Sequence, residues 1–335
     1  MSSPLKTTLI LFLSFLTSLT VARSNCVETL LPVSIAANNT EIKLAAPRNQ
    51  QELTDLITRI SSQTSNVTSE VQTGKTLDAA NTVELAIHGF GFDHSYWNFG
   101  GTGSKYNYVE AAPPRWACHL NLRQACAACE VPSHWKARRK HFNRVVGVGH
   151  SYGSVTLFGL VEKYGNVLDA MVLTAFAPLG GFAFSAFAAV GWTIASVGDP
   201  KRFGSLPSSY MISEGLSNDQ HSFFRYGNYE PAVLRSAFNA REASTLGEVL
   251  SAGGGPALNY TNPLLIVTGD KDYPNCGGNC YQKFSGVNLV EASKVVFPAV
   301  TKFATYIPAE TGHGNNLHLS APEAYGKIQD WIRQL

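Results

Sequence analysis

The sequence predicts an α/β fold: a mostly parallel central sheet with helices on both faces and a helical insertion that forms a cap. Three observations favour this class. Runs of apolar β-formers, typical of strands buried on both faces, recur along the chain, as in VELAI at 83–87 and VVGV at 145–148. Segments with apolar residues at helical spacing separate these runs, as the crossovers of a parallel sheet require. Residues 179–259 depart from the core pattern and place apolar residues at helical spacing, which favours an inserted cap.

The N-terminal residues predict a secretory leader. Lys6 precedes an uncharged, largely apolar run at 9–19, and small residues follow as far as Ala22. This run is too short to span a bilayer, and no later segment has the length and apolar character of a transmembrane helix. We therefore expect residues 1–22 to be a signal peptide, the protein to be secreted and no stable membrane insertion. An uncleaved signal anchor is the alternative.

Sequons and cysteines fit an oxidising compartment in which proteins are glycosylated. Three Asn-x-Ser/Thr sequons are candidates for glycosylation: Asn38, Asn66 and Asn259. The chain has six cysteines, which suggests disulfides in a secreted protein. Cys276 and Cys280 are separated by Gly-Gly-Asn and could close a small loop. A metal pair is the weaker hypothesis, since no histidine cluster accompanies them.

Size and charge narrow the class of protein. About 310 residues remain after the leader, enough for one large α/β domain with an insertion. The formal net charge is +2 and charged residues make up 15% of the chain, so no nucleic-acid partner is predicted. Composition leaves the oligomeric state open.

The most informative segment is GHSYG at 149–153. It follows the VVGV run and precedes apolar residues at helical spacing, so a strand, a tight turn and a helix are predicted in that order. The two glycines leave room for a turn that raises the Ser151 hydroxyl above the sheet, at a helix N-terminus that favours negative charge. This arrangement predicts a nucleophilic serine. An ordinary βα turn with a serine between glycines is the alternative.

An acid and a base follow Ser151 in the chain order Ser, Asp, His. Asp270 and Asp272 come just after one strand run, and His313 comes just after the last one. The carboxyl ends of strands are where open α/β sheets keep their functional loops. An imidazole can accept the serine proton near neutrality, and a buried carboxylate would orient it. His318 competes with His313, but it falls where the closing helix should begin, which favours a structural role.

These motifs resemble the α/β-hydrolase superfamily, in its esterase/lipase-like branch, and more narrowly the secreted α/β-hydrolases of filamentous fungi. The matching segments are HGFGFDHSYW at 88–97, VVGVGHSYGS at the serine turn, the acid loop with Cys276 and Cys280, and TGHGNNLH at 311–318. The resemblance covers most of residues 30–335. Four motifs in the right order make the superfamily specific, whereas one fold hosts many substrates.

The resemblance implies site residues as well as a fold. In such hydrolases the acid commonly stands three residues after the strand-ending glycine, which favours Asp272, and Asp270 is then expected to bond the backbone of the turn. The HG-x-G loop at 88–91 implies an oxyanion hole formed by the backbone N–H groups of Phe90 and Tyr152, with His88 shaping the loop. Neither a metal nor an organic cofactor is implied. The core comprises residues 23–178 and 260–335, and the cap comprises residues 179–259.

The implied function is that of a secreted serine hydrolase that cleaves a small-molecule carboxylic ester or lactone through an acyl-enzyme. A tailoring hydrolase of secondary metabolism and a non-catalytic α/β-hydrolase-like binding protein remain alternatives. Aromatic residues of the cap would line an apolar pocket, although at least half of them are expected to form the cap's own core. These aromatic residues are Phe182, Phe184, Phe187, Trp192, Phe223 and Phe224.

Residues 113–140 differ from the rest of the chain. They hold three of the six cysteines and two of the five tryptophans, without a buried-strand run. The Cys126-Ala-Ala-Cys129 spacing is a weak redox or metal motif, because the surrounding βαβ context is missing. A shifted reading frame or mis-spliced exon is the favoured explanation. It predicts that this segment adds no full-length parallel strand beside the strand that precedes Ser151.

Overall fold

The computed structural model of the protein describes residues 45–61, 82–112, 119–121, 144–250 and 254–335. Several sequence predictions lie outside these residues. They are the leader at 1–22, the sequons at Asn38 and Asn66, and the Cys126–Cys129 motif.

The described residues form eleven strands and twelve α-helices. The strands are β1 Thr82–Ile87, β2 His119–Asn121, β3 Arg144–His150, β4 Ala170–Thr174, β5 Trp192–Ile194, β6 Tyr210–Ser213, β7 Ser244–Thr245, β8 Leu264–Val267, β9 Lys283–Phe284, β10 Val287–Asn288 and β11 Phe303–Tyr306. The helices are α1 Gln50–Ser61, α2 Tyr108–Ala111, α3 Tyr152–Tyr164, α4 Ala183–Ala189, α5 Ala195–Gly198, α6 Pro200–Phe203, α7 Leu216–Phe223, α8 Pro231–Asn239, α9 Leu246–Leu250, α10 Tyr273–Cys276, α11 Leu289–Ala292 and α12 Ala321–Arg333.

The central sheet is parallel throughout. Its strand order is β11-β8-β4-β3-β1-β2, and each neighbouring pair runs in the same direction. The apolar runs at 83–87, 145–148, 171–177, 264–268 and 303–307 form β1, β3, β4, β8 and β11, in that order. The predicted fold class is therefore confirmed.

The sheet has an apolar core on each face. All five residues of β4 are buried, and because side chains alternate along a strand, its neighbours face opposite sides. Leu173 joins a cluster with Leu157 of α3, whereas Val172 joins a cluster with Ile328 of α12. Burial on both faces explains why the strand sequences are continuously apolar rather than alternating.

The segment between β4 and β8 contains the predicted helical insertion, with α4 to α9. It also contains a three-stranded antiparallel sheet in the order β5-β6-β7, which the sequence does not predict. The cause is local: these strands have only two to four residues, too short for an alternating pattern to be recognised. The boundaries of the cap at 179 and 259 stay a prediction.

Helix α1 packs on the cap sheet. Leu53, Leu56 and Ile57 are buried in one cluster with Trp192 and Met211. Gln50, at the start of α1, donates from Nε2 to the Trp192 carbonyl at 2.8 Å and accepts the Ile194 N–H at 3.2 Å. An N-terminal helix thus completes the core of an element inserted more than a hundred residues later.

Residues 119–121 are the described part of the atypical segment at 113–140. They form β2, a three-residue strand that pairs with β1 at the sheet edge. The neighbours of β3 are β1 and β4, so no strand from this segment lies beside the strand that precedes Ser151, as predicted. The edge strand itself was not expected, since the segment has no run of apolar β-formers, and its pairing in the central sheet counts against a shifted reading frame. Across the described part of the chain, no helix combines the length and apolar character needed to cross a membrane.

Candidate active site

Ser151 occupies a strained turn between β3 and α3. Its backbone has φ 53° and ψ −117°, in the positive-φ region that non-glycine residues seldom adopt. The turn is held by the end of β4: the Ser151 N–H donates to the Thr174 carbonyl at 2.9 Å, and the Ser154 hydroxyl donates to the same oxygen at 2.7 Å. Helix α3 begins at the next residue, so Ser151 lies at its N-terminus.

Close packing explains both glycines of the serine turn. A Cβ at Gly149 would lie 2.6 Å from the Ser154 nitrogen, and one at Gly153 would lie 2.1 Å from the Ile87 carbonyl oxygen. Neither contact leaves room for a side chain. The helix that begins after Ser151 therefore packs directly onto the ends of β1 and β3.

Ser151, His313 and Asp272 form a hydrogen-bonded chain. The Ser151 hydroxyl lies 2.7 Å from His313 Nε2, and His313 Nδ1 lies 2.9 Å from Asp272 Oδ2. Asp272 is fully buried and His313 is 4% exposed. The carboxylate therefore interacts with the imidazole away from water, where electrostatic interactions are strongest. The structure brings together the three residues that the sequence selects as nucleophile, base and acid.

The short helix α10, which follows Asp272, holds the Asp272 carboxylate by hydrogen bonds. Asp272 caps α10: its Oδ1 accepts the Asn275 N–H, and its Oδ2 accepts the Asn275 side-chain amide, both at 2.9 Å. Cys276 and Cys280, both fully buried, form a disulfide that closes this loop. Asn275 is a site residue that the sequence analysis missed, because its role depends on the short helix that Asp272 caps.

Asp270 braces the loop that bears the histidine. Its Oδ1 accepts the Thr311 N–H at 3.0 Å, and its Oδ2 lies 2.9 Å from Lys271 Nζ. Asp270 was expected to bond the backbone of its own turn. It does bond a backbone N–H, but that of Thr311 in the His313 loop, 41 residues later in the chain.

His318 has a hydrogen bond on each ring nitrogen. Its Nε2 accepts the Arg225 N–H at 2.8 Å and the Gly312 N–H at 3.1 Å, and its Nδ1 lies 2.8 Å from the Gly314 carbonyl oxygen. Burial lowers the pKa of His318 to about 4, so the ring is neutral near pH 7. His318 thus fastens the cap to the His313 loop.

The loop at 88–91 lies against the serine turn. A Cβ at Gly89 would lie 2.9 Å from the Ser151 Cβ, and the Phe90 ring stacks on the Tyr152 ring at 4.1 Å between centroids. The His88 Nδ1 lies 3.0 Å from the Gly89 carbonyl, within the loop itself. The two predicted oxyanion donors, Phe90 and Tyr152, are therefore neighbours across the nucleophile turn.

His150 is a second feature that the sequence analysis did not assign. The ring is fully buried, stacks on Tyr96 at 4.3 Å between centroids and lies 5.4 Å from the His313 ring. Burial first, then the nearby imidazoles of His313 and His88, lower the pKa of His150 well below its ordinary range. The His150 ring beside His313 is therefore neutral near pH 7.

The cap aromatics divide between core and pocket. Trp192 and Phe223 line a pocket, whereas Phe224 packs in the core beneath the sheet. Phe187 packs on Trp192 at 5.1 Å between ring centroids, and Phe184 is 45% exposed. Two of the six aromatic residues of the cap, Trp192 and Phe223, therefore line this pocket.

Neither a protein-family model nor a curated protein sequence matches the chain. Solved structures do overlap with it. A methylesterase protein MES16 from Arabidopsis is 11% identical, with a TM-score of 0.46 over 76% of this chain and 100% of the other. Polyneuridine aldehyde esterase is 13% identical, with a TM-score of 0.44 over 76% and 100%. A bromoperoxidase from Bacillus anthracis is 13% identical, with a TM-score of 0.47 over 77% and 92%. We draw nothing about activity from matches this remote.

The geometry of the described residues defines the fold class more clearly than these matches do. A nucleophile turn at the end of a central parallel strand, followed in the chain by aspartate and then histidine after later strands, is the arrangement of the α/β-hydrolases. Strand order, the turn at Ser151 and the order of these three residues together give this chain the α/β-hydrolase fold.

Proposed function

We propose that the protein is a serine hydrolase that cleaves a carboxylic ester or lactone of a small molecule through an acyl-enzyme. The observation that supports this most strongly is the chain of hydrogen bonds, 2.7 Å and 2.9 Å long, that joins Ser151, His313 and the buried Asp272. A serine held at positive φ above a sheet has a backbone strain that an ordinary βα turn does not need.

In the proposed reaction the Ser151 Oγ attacks the carbonyl carbon while its proton moves to His313 Nε2. Asp272 holds the imidazole in the tautomer with a proton on Nδ1 and stabilises the imidazolium that forms. The backbone N–H groups of Phe90 and Tyr152 stabilise the oxyanion, and the N-terminus of α3 adds favourable charge. His313 then protonates the leaving alcohol, which leaves the acyl group on Ser151. A water molecule attacks this acyl group while His313 accepts its proton, and transfer of that proton to Ser151 Oγ releases the acid.

Secretion and glycosylation belong to the same proposal. They rest on the leader at 1–22 and on the sequons at Asn38, Asn66 and Asn259. Two observations support them: the Cys276–Cys280 disulfide is typical of an oxidising compartment, and Asn259 is exposed. Removal of N-linked glycans from the secreted protein should lower its mass.

A fluorophosphonate probe tests the proposed mechanism directly. It should label the protein once, at Ser151, as located by peptide mass spectrometry, and Ser151→Ala should neither be labelled nor hydrolyse esters. The side chain of Ser151 contributes little to packing, so the variant should keep the circular dichroism spectrum of the wild type. Labelling of the alanine variant at another serine would contradict the assignment. A wild-type protein that neither reacts with the probe nor hydrolyses p-nitrophenyl esters or lactones would instead be a binding protein.

A further inference from the structure

The Asn275 side chain lies between the acid loop and the backbone that leaves β4. Its amide nitrogen donates to Asp272 Oδ2 at 2.9 Å, and its amide oxygen accepts the Ala177 N–H at 3.2 Å. A carboxylate only accepts hydrogen bonds and a backbone N–H only donates one, so the two partners require opposite ends of the amide. Both ends are therefore engaged, and the orientation of the amide is determined.

The backbone that leaves β4 also supports the nucleophile. The Thr174 carbonyl, three residues before Ala177, accepts the Ser151 N–H at 2.9 Å. The amide of Asn275 thus ties the acid to the same short segment that holds the serine turn. A change at Asn275 therefore loosens the placement of Asp272 relative to Ser151.

This segment offers a rigid anchor for the amide. Ala175 has φ 51°, a positive value that a non-glycine residue keeps only where its surroundings impose it. The Thr268 hydroxyl accepts the Phe176 N–H and donates to the Phe176 carbonyl, both at 3.0 Å. The N–H of Ala177 is consequently fixed before Asn275 bonds it.

Asn275 also sets the rotation of the Asp272 carboxylate. The acid is fully buried, and its Oδ2 receives both the Asn275 amide and His313 Nδ1, each at 2.9 Å. Its Oδ1 accepts the backbone N–H of Asn275, also at 2.9 Å. Rotation about the Cβ–Cγ bond of the acid would break the bonds to Asn275 and to His313 together. One residue thus bonds both carboxylate oxygens and directs Oδ2 at the imidazole.

We propose that Asn275 is a positioning residue of the reaction, which acts through Asp272 and needs the N–H donor of its side chain to do so. Because this side chain bonds the acid rather than the substrate, its effect should fall on kcat and not on KM. The inference rests on the proposed function and adds a residue to its machinery. A purely structural role is the alternative, in which the bond to Ala177 alone holds the loop and no donor is needed.

Two substitutions separate these roles. Asn275→Asp keeps an oxygen for the Ala177 N–H but loses the donor and places a second carboxylate beside Asp272, whereas Asn275→Leu has a similar shape and loses both side-chain bonds. For a positioning role, kcat on a p-nitrophenyl ester should fall about 10- to 100-fold in the leucine variant and at least as much in the aspartate variant, with KM changed by less than about 2-fold. Wild-type kcat in a folded Asn275→Asp protein would overturn the inference.

Asn279 supplies the matched control. It is an exposed residue of the loop that the Cys276–Cys280 disulfide closes, and its side-chain oxygen accepts the Tyr281 N–H at 3.2 Å. Asn279→Asp adds the same charge to the loop, and Asn279→Leu adds the same apolar group. Each should keep kcat within about 2-fold of the wild type. Equal losses at positions 275 and 279 would assign the effect to the loop as a whole and overturn the inference.

A double-mutant cycle with Asp272→Asn separates positioning from a loss of stability. Once the carboxylate is gone, a residue that acts through it has nothing left to position, so Asn275→Leu should lower kcat by less than about 3-fold in the Asp272→Asn protein. Additive losses would contradict the positioning role. The cycle needs only the leucine variant, so it stays decisive if Asn275→Asp fails to fold.

The wild-type protein distinguishes this inference from the proposed function. If the fluorophosphonate labels Ser151 and esters are hydrolysed, but both Asn275 variants keep wild-type kcat, the positioning role is wrong and the proposed function stands. If the wild type is neither labelled nor active on any ester or lactone, both are wrong.

Discussion

Asp270 and Asp272 lie two residues apart and make different contacts. Asp272 bonds the His313 imidazole, whereas Asp270 bonds the Thr311 backbone. Asp272→Asn should lower kcat by roughly 10⁴-fold, because the amide favours the wrong imidazole tautomer and cannot stabilise the imidazolium. Asp270→Asn should cost less than about 10-fold, since an amide oxygen can still accept the Thr311 N–H. Kinetics on one p-nitrophenyl ester compare the two, and equal losses would contradict the acid assignment.

Asp219 gives stability a pH dependence of its own. The carboxyl has an ordinary pKa of 3.8 when the chain is unfolded and about 6 when it is buried in the fold. Below 3.8 both states are protonated and the group has no effect, whereas above 6 the folded state bears the full penalty of a buried carboxylate. That penalty is about 3 kcal/mol. Stability from this group therefore falls as pH rises through this window.

Asp219→Asn should remove the penalty. We expect the free energy of unfolding in urea to rise by up to about 3 kcal/mol at pH 8, with a much smaller gain near pH 4. Glu214→Gln, which changes an exposed carboxylate of the same cap segment, should show no such dependence. A gain of equal size at both pH values would show that the Asp219 pKa is not raised.

At the scale of single elements, the contact of α3 with β1 decides whether the serine turn forms. Gly153→Ala places a Cβ 2.1 Å from the Ile87 carbonyl oxygen, so the helix must move away from the strand end. We expect the free energy of unfolding to fall by about 3 kcal/mol, or the protein to lose its fold.

A second glycine of the same helix supplies the control. Nothing lies within 4 Å of a Cβ at Gly159, so Gly159→Ala should be neutral or stabilise by about 0.5–1 kcal/mol through helix propensity. Chemical unfolding measures both variants. Similar effects at the two positions would show that helix propensity, rather than close packing, sets the requirement at Gly153.

At the scale of the whole molecule, α1 joins the N-terminal region to the cap. Leu53 is fully buried in the cluster that includes Trp192. Leu53→Ala should lower the free energy of unfolding by about 2–5 kcal/mol, through lost burial and the cavity left behind. Because Trp192 also lines the pocket beside Phe223, KM for a p-nitrophenyl ester should rise more than kcat falls.

An exposed position on α1 separates packing from helix propensity. Thr54 is an exposed residue of α1 outside the buried stripe, so Thr54→Ala should change stability by no more than about 0.5 kcal/mol. Urea unfolding and Michaelis kinetics on the same preparations provide the comparison. If Leu53→Ala leaves both stability and KM unchanged, α1 is not an essential part of the cap.

The sequence by itself predicted five of the six central strands, the serine turn and the positions of Ser151 and His313. The choice of Asp272 over Asp270 rested on the resemblance. These features can be predicted from the sequence because their causes are local. A strand buried on both faces needs a continuous apolar run, and the turn needs glycine where a Cβ would meet backbone at 149 and 153. The chain order of the three polar residues then follows from the loops after successive strands.

Only the tertiary structure decided which distant residues meet. The bond from Asp270 to the Thr311 backbone, the packing of α1 on the cap sheet, and the sharing of one pocket by Asp219 and Trp192 leave no periodic trace in the sequence. Each depends on how elements far apart in the chain pack together, and packing acts through shape and burial in three dimensions rather than through the spacing of neighbouring residues.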